Sequence, residues 1–181
     1  MLFRELSIAG CFLIEPEPIE DERGFFARSW CSQEFARHGL DPDLAQCNIS
    51  YNRKRGTVRG LHYQAEPFAE TKLIRCTRGA IFDVIVDLRP GSKSFGQWVS
   101  AELTAANRKM IYAPEGIAHG LQTLSHHAEV FYQMSQPYRA ELARGLRYDD
   151  PELAIRWPIP NPIVSRRDQG LPRLAEAGLA A

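Results

Sequence analysis

The run Arg59-Gly60-Leu61-His62-Tyr63-Gln64 contains the residue types of this sequence best suited to do chemistry. Histidine titrates near neutral pH, so His62 can take up a proton and return it. The guanidinium group of Arg59, three residues earlier, is suited to hold a phosphate or a carboxylate. The pair indicates a site that clamps an anionic substrate and moves a proton. A buried histidine beside a surface arginine is the alternative interpretation.

A second histidine follows a turn, in Pro114-Glu115-Gly116-Ile117-Ala118-His119-Gly120. Proline and glycine fix the turn, so His119 enters a strand at a defined place. This layout is found in double-stranded β-helix folds, the cupins. A metal-binding cupin also needs a histidine pair and a glutamate from an earlier strand. Gln64 stands where the second histidine of that pair would be, so the ligand count disfavours a metal site.

The elements that must position these side chains are mostly strands. Short apolar runs bounded by glycine, proline, asparagine and aspartate recur along the chain, as in a sandwich or barrel. The predicted strands cover residues 11–14, 24–30, 48–51, 57–64, 72–76, 80–89, 96–103, 109–113 and 128–136. A short helix is predicted over 32–38, with Ser32 placed to cap it and Gly39 to end it. We expect a proline-punctuated tail over 152–162 that wraps the body, and a frayed or weakly helical end over 175–181.

The strand at residues 80–89 has two different faces. One face is apolar and is predicted to belong to the core: Phe82, Val84, Val86 and Leu88. The other face carries Asp83 and Asp87 beside Ile85. Such a face suits the polar interior of a ligand-holding barrel, or an ordinary solvent-facing surface.

Composition excludes several classes of function. The 181 residues include 22 basic and 22 acidic side chains, so bulk binding to nucleic acid or to an anionic membrane is not favoured. No apolar run approaches the roughly 20 residues of a membrane span. The first residues lack the layout of a signal peptide, and the four cysteines form no CxxC pair. We expect a cytoplasmic protein with one domain over residues 1–181.

The ordered motifs resemble those of the dTDP-4-dehydrorhamnose 3,5-epimerases, cupin enzymes of deoxysugar-nucleotide biosynthesis. The resemblance runs from about Phe12 to Pro172. The matching stretches are 21–26, 46–50, 59–64, 72–73, 83–89, 114–120, Tyr132, Tyr138, 150–151 and 165–168. The implied fold is mainly β, a cupin-type double-stranded β-helix (jelly-roll barrel) with a few short helices. The implied protein is a homodimer that epimerises a nucleotide-diphosphate-linked 4-keto-6-deoxy hexose without a metal or other cofactor.

The resemblance also implies roles for individual residues. A proton is removed next to the C4 ketone, and one is returned to the opposite face of the sugar. His62 is implied to be the base, with Asp168 as its hydrogen-bond partner. Lys72 is implied to stabilise the enolate oxygen, and Tyr132 to act as the acid. The implied binding residues, some of them from the partner subunit, are Arg23 and Arg59 for the diphosphate, Gln46 and Asn48 as polar contacts, His119 near the sugar, and Phe26 and Tyr138 against the base.

Four positions depart from the family pattern. Arg28 and Ala143 stand where the family usually has glutamates, and Glu70-Thr71 precedes Lys72 in place of Gln-Gly. A guanidinium group only donates hydrogen bonds. Thymine presents an N–H donor at N3, whereas cytosine and guanine present acceptors. Arg28 therefore predicts either a base other than thymine, or a contact with phosphate or solvent.

Alternatives to a 3,5-epimerase remain open from the sequence. One is an epimerase that inverts only C3 or only C5, including one that acts on a CDP- or GDP-linked sugar. A rival of another class is a non-catalytic cupin that binds sugar nucleotides. The joint presence of a base, a cation and an acid argues against it, since binding alone needs no base–acid pair. A metal-dependent oxygenase is disfavoured by the missing ligands.

Overall fold

Two antiparallel sheets and a separate hairpin make up the framework in the computed structural model, which describes residues 1–179. The strands are β1 Leu2–Glu5, β2 Phe12–Glu15, β3 Ile19–Asp21, β4 Gly24–Phe26, β5 Gln46–Asn52, β6 Val58–Gln64, β7 Lys72–Arg78, β8 Ala80–Asp87, β9 Trp98–Thr104, β10 Met110–Ala113, β11 Ile117–Thr123, β12 Ala128–Met134 and β13 Ala143–Gly145. The helices are short: α1 Ser32–Arg37 and α2 Arg166–Gln169. The predicted mainly β, cupin-type fold is confirmed.

The order of strands in each sheet shows many crossovers, as expected of a jelly roll. The six-stranded sheet has the order β1-β2-β10-β7-β12-β5, and the five-stranded sheet has the order β13-β6-β11-β8-β9. The remaining hairpin pairs β3 with β4. Strands next to each other in space therefore come from distant parts of the chain, which brings side chains from four or five strands to one end of the barrel.

The apolar core lies between the two sheets. Ile74 and Val130 from the six-stranded sheet belong to the same buried cluster as Ile85 and Leu121 from the five-stranded sheet. Burying such side chains stabilises the fold by about 1.5–3 kcal/mol each. The polar site described below is built at the margin of this rigid core.

A second apolar cluster covers the outer face of the five-stranded sheet. Val84 and Val86 of β8 pack there with Leu153 and Trp157 from the C-terminal tail. The backbone of Ile159 also exchanges hydrogen bonds with the side chain of Gln122 on β11. The prediction that this tail wraps the body is confirmed.

Strand β8 is buried on both faces. Asp83, Ile85 and Asp87 are 0 % exposed, so the solvent-facing interpretation of this face is wrong. Ile85 belongs to the core between the sheets, and Asp83 lies beside the site. The polar-interior interpretation is the better one, although most of the interior is apolar.

Several predicted boundaries are wrong. The strand predicted over 24–30 ends at Phe26, and the chain then runs without regular structure until α1. Cys31 is the N-cap of α1 without a side-chain hydrogen bond, so Ser32 does not cap the helix, whereas Gly39 follows its end as predicted. Four elements were not predicted from the sequence: β1, β3, β13 and α2. The predicted weakly helical end contains a 3-10 turn at Leu174–Glu176, and residues 180–181 lie outside the described residues.

Two glycines let β6 and β11 approach closely. Gly60 has φ +115°, and a Cβ atom there would lie 2.6 Å from the Cα of Gly120. A Cβ atom on Gly120 would lie 2.8 Å from a methyl group of Leu61. These contacts leave no room for larger residues. The close approach sets the register in which His62 of β6 pairs with His119 of β11.

Candidate active site

A cleft of about 270 Å³ opens at the end of the barrel, between the two sheets. Six of the predicted site residues line it: Asn48, Arg59, His62, Lys72, His119 and Tyr132. His62 and Lys72 also line an adjoining space of about 130 Å³, which we call the side recess. Its other walls include Glu70, Tyr138, Arg144 and Arg167. The two spaces therefore meet at a histidine and a lysine.

His62 is held by the carboxylate of Asp168. The His62 Nε2 atom lies 2.8 Å from Asp168 Oδ1. Asp168 is at 5 % exposure, and its own position is fixed because its backbone N–H donates to the Ser165 hydroxyl at the start of α2. The Gly60 N–H also points at the other carboxylate oxygen, at 3.4 Å. The short helix α2 thus serves to place one carboxylate behind one imidazole.

The protonation of this pair follows from its geometry. Burial raises the pKa of Asp168, but the hydrogen bond and charge of His62, together with the donors at Gly60 and Ser165, more than offset it. The pKa of Asp168 is therefore lowered overall, and the group is a carboxylate at neutral pH. An ionised carboxylate only accepts hydrogen bonds. Nε2 of His62 must carry the hydrogen, which leaves the Nδ1 lone pair to accept a proton.

Strand β13 packs closely against the His62 ring. Gly145 pairs with His62 across the β13–β6 ladder. A Cβ atom at Gly145 would collide with the carbonyl oxygen of Leu61 and lie 3.3 Å from Cδ2 of the His62 ring. The ring is therefore fixed from two sides, by Asp168 and by the backbone of β13.

Tyr132 reaches the cleft from the six-stranded sheet, opposite the sheet that carries His62. Burial raises the pKa of the Tyr132 phenol well above its usual value, and the nearby charge of Asp83 adds to the shift. The phenol therefore keeps its proton at neutral and moderately alkaline pH. A partly buried phenol with its proton can donate to a carbanion but is a poor base.

His119 and Asp83 form a second histidine–carboxylate pair at the inner end of the cleft. His119 Nε2 lies 2.7 Å from Asp83 Oδ2, and both side chains are buried. Burial raises the pKa of Asp83, and the charge and hydrogen bond of His119 oppose that shift. The His119 ring packs edge to face on the Tyr132 ring, with centroids 5.6 Å apart. The His119 ring, held by Asp83, therefore packs against the Tyr132 ring and helps to fix its position.

Lys72 supplies the buried cation of the site. Its side chain is 10 % exposed, and its Nζ atom lies 2.6 Å from Glu70 Oε1. The Glu70 carboxylate offsets part of the cost of burying the Lys72 ammonium. Lys72 can therefore stabilise negative charge that develops on an oxygen in the cleft.

The predicted polar and aromatic contacts lie around the mouth. Arg59 Nε donates to Asn52 Oδ1 at 2.7 Å, which fixes the guanidinium group beside the cleft. Gln46 Oε1 accepts from the Tyr138 backbone N–H at 2.6 Å, so Gln46 braces the segment that carries the Tyr138 ring. Tyr138 is 53 % exposed and can present a ring face to a ligand.

The β3–β4 hairpin and the segment after it carry three further predicted binding residues, and none of them lines the cleft or the side recess. Arg23 on the β3–β4 hairpin pairs with Asp21 and is 84 % exposed. Phe26 at the end of the same hairpin is 74 % exposed. Arg28 pairs with Glu34 in a separate depression with Met1 and Glu17. A binding role for these three stays a prediction, and a single chain does not bring them to its own His62.

Sequence reasoning missed several residues of the site. Asp83 was assigned to the correct face of β8, but nothing in the local sequence pairs it with a histidine 36 positions away. The positions of Arg144 and Arg167 in the side recess depend on β13 and α2, which were not predicted. Glu70 was noted only as a departure from the family pattern. The available signal in the sequence was its position two residues before Lys72.

Among residues 1–179, no three His, Cys, Asp or Glu side chains converge so that they could hold a metal ion. The absence of a metal or cofactor from the reaction stays a prediction. Over the same described range, no helix has the length and apolar character needed to cross a bilayer.

A cupin barrel that sets a proton acceptor and a proton donor on two walls of one cleft has the architecture of a proton-transferring isomerase. The family model described as dTDP-4-dehydrorhamnose 3,5-epimerase matches residues 5–176. The dTDP-4-dehydrorhamnose 3,5-epimerase of Sinorhizobium fredii is 46 % identical over 177 residues, covering 97 % of this chain and 91 % of that protein. The chain belongs to the dTDP-4-dehydrorhamnose 3,5-epimerase family and is an isomerase of the carbohydrate-epimerase type.

Two further relatives bear on the site. A dTDP-4-dehydrorhamnose 3-epimerase of Streptomyces niveus is 42 % identical over 178 residues, covering 98 % of this chain and 86 % of that protein. The crystal structure of a dTDP-4-dehydrorhamnose 3,5-epimerase from Bacillus anthracis, with TDP and PPi bound, has a TM-score of 0.93 at 42 % identity. That match covers 96 % of this chain and 99 % of the other.

Proposed function

We propose that this protein inverts C3 and C5 of a dTDP-linked 4-keto-6-deoxy hexose by proton removal and reprotonation next to the C4 ketone. The observation that carries the proposal is that His62 and Tyr132 line one cleft from two different sheets, with Lys72 in the same cleft. A base and an acid on opposite walls can act on opposite faces of one ring. This arrangement also disfavours a non-catalytic binding protein.

His62 acts as the base. With its Nε2–H donated to Asp168, the Nδ1 lone pair accepts the proton from C3 or C5. The imidazolium that results is stabilised by the Asp168 carboxylate, which is already in place and needs no rearrangement. The electron pair of the broken C–H bond moves into an enolate with its negative charge on O4.

Lys72 and Tyr132 complete the cycle. The Lys72 ammonium stabilises the enolate oxygen as a preorganised cation. Tyr132 then donates its phenolic proton to the carbon from the other face, which inverts the centre. The raised pKa of the Tyr132 phenol keeps it protonated until the carbanion forms. Solvent reprotonates the phenolate and removes the proton from His62, so the enzyme returns to its starting state.

The nucleotide part is bound around the mouth. We propose that Arg59 holds the diphosphate, that Asn48 and Gln46 provide polar contacts, and that Tyr138 packs on the base. We propose thymine as the base, because the Bacillus anthracis relative has TDP bound. The engagement of Arg28 with Glu34 supports the interpretation that Arg28 does not select another base.

We also propose a homodimer in which the β3–β4 hairpin reaches the cleft of the partner subunit. The hairpin exposes Ile19 and Phe26, at 72 % and 74 %, and the two residues pair across the β3–β4 ladder, so they form a contiguous apolar patch of the kind that marks an interface. It also carries Arg23, far from its own cleft. This geometry would supply the second diphosphate contact from the other subunit.

The dimer has a direct test by complementation. His62→Ala and Arg23→Ala are each expected to lose activity, whereas a mixture refolded together regains activity, because one cleft of each mixed dimer is intact. A monomeric mass in light scattering, or a mixture without activity, would contradict the hairpin exchange. We further propose one domain, and a reducing cytoplasmic location because all four cysteines carry free thiols.

The proposed activity is tested by proton NMR of the 4-keto-6-deoxy sugar nucleotide in deuterated water. We expect loss of the H3 and H5 signals, collapse of the C6 methyl doublet, and preference for dTDP- over CDP- and GDP-linked sugar. Exchange at C3 alone would identify a 3-epimerase like that of Streptomyces niveus. No exchange at either carbon would refute the proposal.

A further inference from the structure

Glu70 lines the side recess, which shares His62 and Lys72 with the cleft. It is 8 % exposed, and its Oε1 atom lies 2.6 Å from Lys72 Nζ. Its second oxygen, Oε2, is buried and has no hydrogen-bond partner among the described residues. The same side chain lines the side recess together with His62, Lys72 and Tyr138.

An unpartnered buried carboxylate oxygen is unfavourable in a folded protein, because it has lost its water without gaining a donor. Native structures contain only a few such atoms. Because the Glu70 side chain lines the side recess, a small rotation of its carboxylate can bring Oε2 to a hydrogen-bond donor on a ligand there. The neighbouring cations do not supply a hydrogen-bond donor to Oε2. Lys72 is bonded to Oε1, and Arg144 and Arg167 make no hydrogen bond to Oε2.

We propose that Glu70 positions Lys72 through Oε1, and that its Oε2 accepts a hydrogen bond from the C3 hydroxyl of the sugar. This inference rests on the proposed function, which places the C4 oxygen of the substrate at Lys72. Two ring carbons flank C4: C5 carries a methyl group, and C3 carries a hydroxyl. The hydrogen-bond donor nearest to the ketone is therefore the C3 hydroxyl.

The contact makes Glu70 a specificity-determining residue. A sugar with a hydroxyl at C3 satisfies the carboxylate and leaves Lys72 fixed at O4. A sugar without that hydroxyl leaves the buried oxygen unpartnered in the complex as well, so it binds and reacts less well. Sites that lose one partner of a buried polar contact typically discriminate strongly against the incomplete substrate.

The test compares the natural substrate with its 3-deoxy analogue, which keeps the ketone and exchangeable hydrogens at both neighbouring carbons. Deuterium exchange next to the ketone is measured by NMR for the wild type and for Glu70→Ala. We expect the wild type to exchange the analogue about tenfold more slowly in kcat/KM, as for loss of a hydrogen bond to a charged group. Glu70→Ala is expected to be slow with both sugars and to differ between them by less than about twofold.

Two further variants complete the test, one as a substitute for Glu70→Ala and one as a control. Glu70→Gln keeps the side-chain volume and is used in the same comparison if Glu70→Ala does not fold. Its weaker, neutral acceptor is expected to reduce the discrimination to under about threefold. Glu15→Gln removes a carboxylate that lies 3.5 Å from the surface lysine Lys109, and is expected to leave both rates and their ratio unchanged.

The outcomes separate the two proposals. Equal wild-type exchange of substrate and analogue, or full discrimination retained in folded Glu70→Ala, overturns the role of Glu70 while the epimerase proposal stands. No exchange of the natural substrate by the wild type overturns the proposed function, and the role of Glu70 with it.

Discussion

Asp168→Asn tests whether the Asp168 carboxylate supports the His62 imidazole in its role as the base. The replacement is nearly isosteric and preserves the packing of α2. It removes the negative charge 2.8 Å from His62 Nε2. An amide can also donate its own N–H to the ring, which moves the ring hydrogen to Nδ1. The lone pair that should accept the substrate proton is then blocked.

The size of the effect follows from these two losses. A hydrogen bond to a charged group contributes about 1.5–3 kcal/mol, or roughly 10- to 150-fold in rate, when it forms with the imidazolium. Loss of the correct tautomer adds to this, and the equivalent change in a serine-protease triad lowers kcat about 10⁴-fold. We expect exchange next to the ketone to fall between about 10²- and 10⁴-fold. The Kd for dTDP should change by less than about threefold, since Asp168 is buried and does not line the cleft.

The assay is deuterium uptake by the sugar nucleotide under single-turnover conditions, with dTDP affinity measured in parallel by calorimetry. Asp149→Asn is the matched control, because Asp149 pairs with Arg147 on the exposed surface, at 2.7 Å. Its exchange rate should equal that of the wild type. An Asp168→Asn protein that is folded and exchanges at the wild-type rate would refute the assignment of His62 as a base supported by this carboxylate.

Three other perturbations separate the remaining roles. Tyr132→Phe should leave the rate of proton removal within about threefold of the wild type, while the inverted product forms about 10²-fold more slowly. NMR of hydrogen exchange and of product formation measures both rates. An unchanged rate of product formation would remove Tyr132 from the mechanism. Gly145→Ala should slow exchange at least about tenfold, because the new methyl group displaces β13 and the His62 ring. Gly170→Ala is the control, since a Cβ atom there would make only an ordinary contact of 3.5 Å with a backbone oxygen. Equal exchange rates for the two variants would contradict the packing of β13 on the His62 ring. For Asp87, burial raises the pKa, but bonds from Arg89, Ser92 and Ser94 lower it further than burial raises it. Its stabilising contribution is therefore present above the unfolded pKa of about 3.9 and is lost as the pH falls below that value. Between pH 7 and pH 3, the free energy of unfolding in urea should fall less for Asp87→Asn than for the wild type. Equal falls for the two proteins would contradict a stabilising role of the ionised Asp87 carboxylate.

The sequence predicted the fold well because strands leave a strong local signal. Alternation in β8 and punctuation by glycine and proline located most strands to within two or three residues. The failures occurred where local signals are weak. Strand β13 is three residues long, and its partner is β6, about 80 positions earlier. The hairpin strand β3 follows two prolines, so tertiary pairing decides its conformation.

Some residues of the site could be recognised from the sequence, and others could not. The histidines could be recognised by residue type, because few side chains titrate near neutral pH. The roles of Lys72 and Tyr132 came from family resemblance, since an isolated lysine or tyrosine in a strand has no chemical signature of its own. The pairings of His62 with Asp168 and of His119 with Asp83 span 106 and 36 positions, and only the folded sheets bring those groups together. The two carboxylates could not be assigned to their histidines by spacing.

The central claim is that an imidazole and a phenol address the two faces of one sugar ring, beside an ammonium group at its C4 oxygen. The most direct measurement is a crystal structure with a dTDP-6-deoxyhexose that has a hydroxyl in place of the ketone, since this ligand binds without reacting. We expect His62 and Tyr132 on opposite ring faces, each within hydrogen-bonding or van der Waals distance of C3 or C5, and Lys72 at O4. A sugar bound with both side chains on one face, or outside the cleft between the sheets, would contradict it.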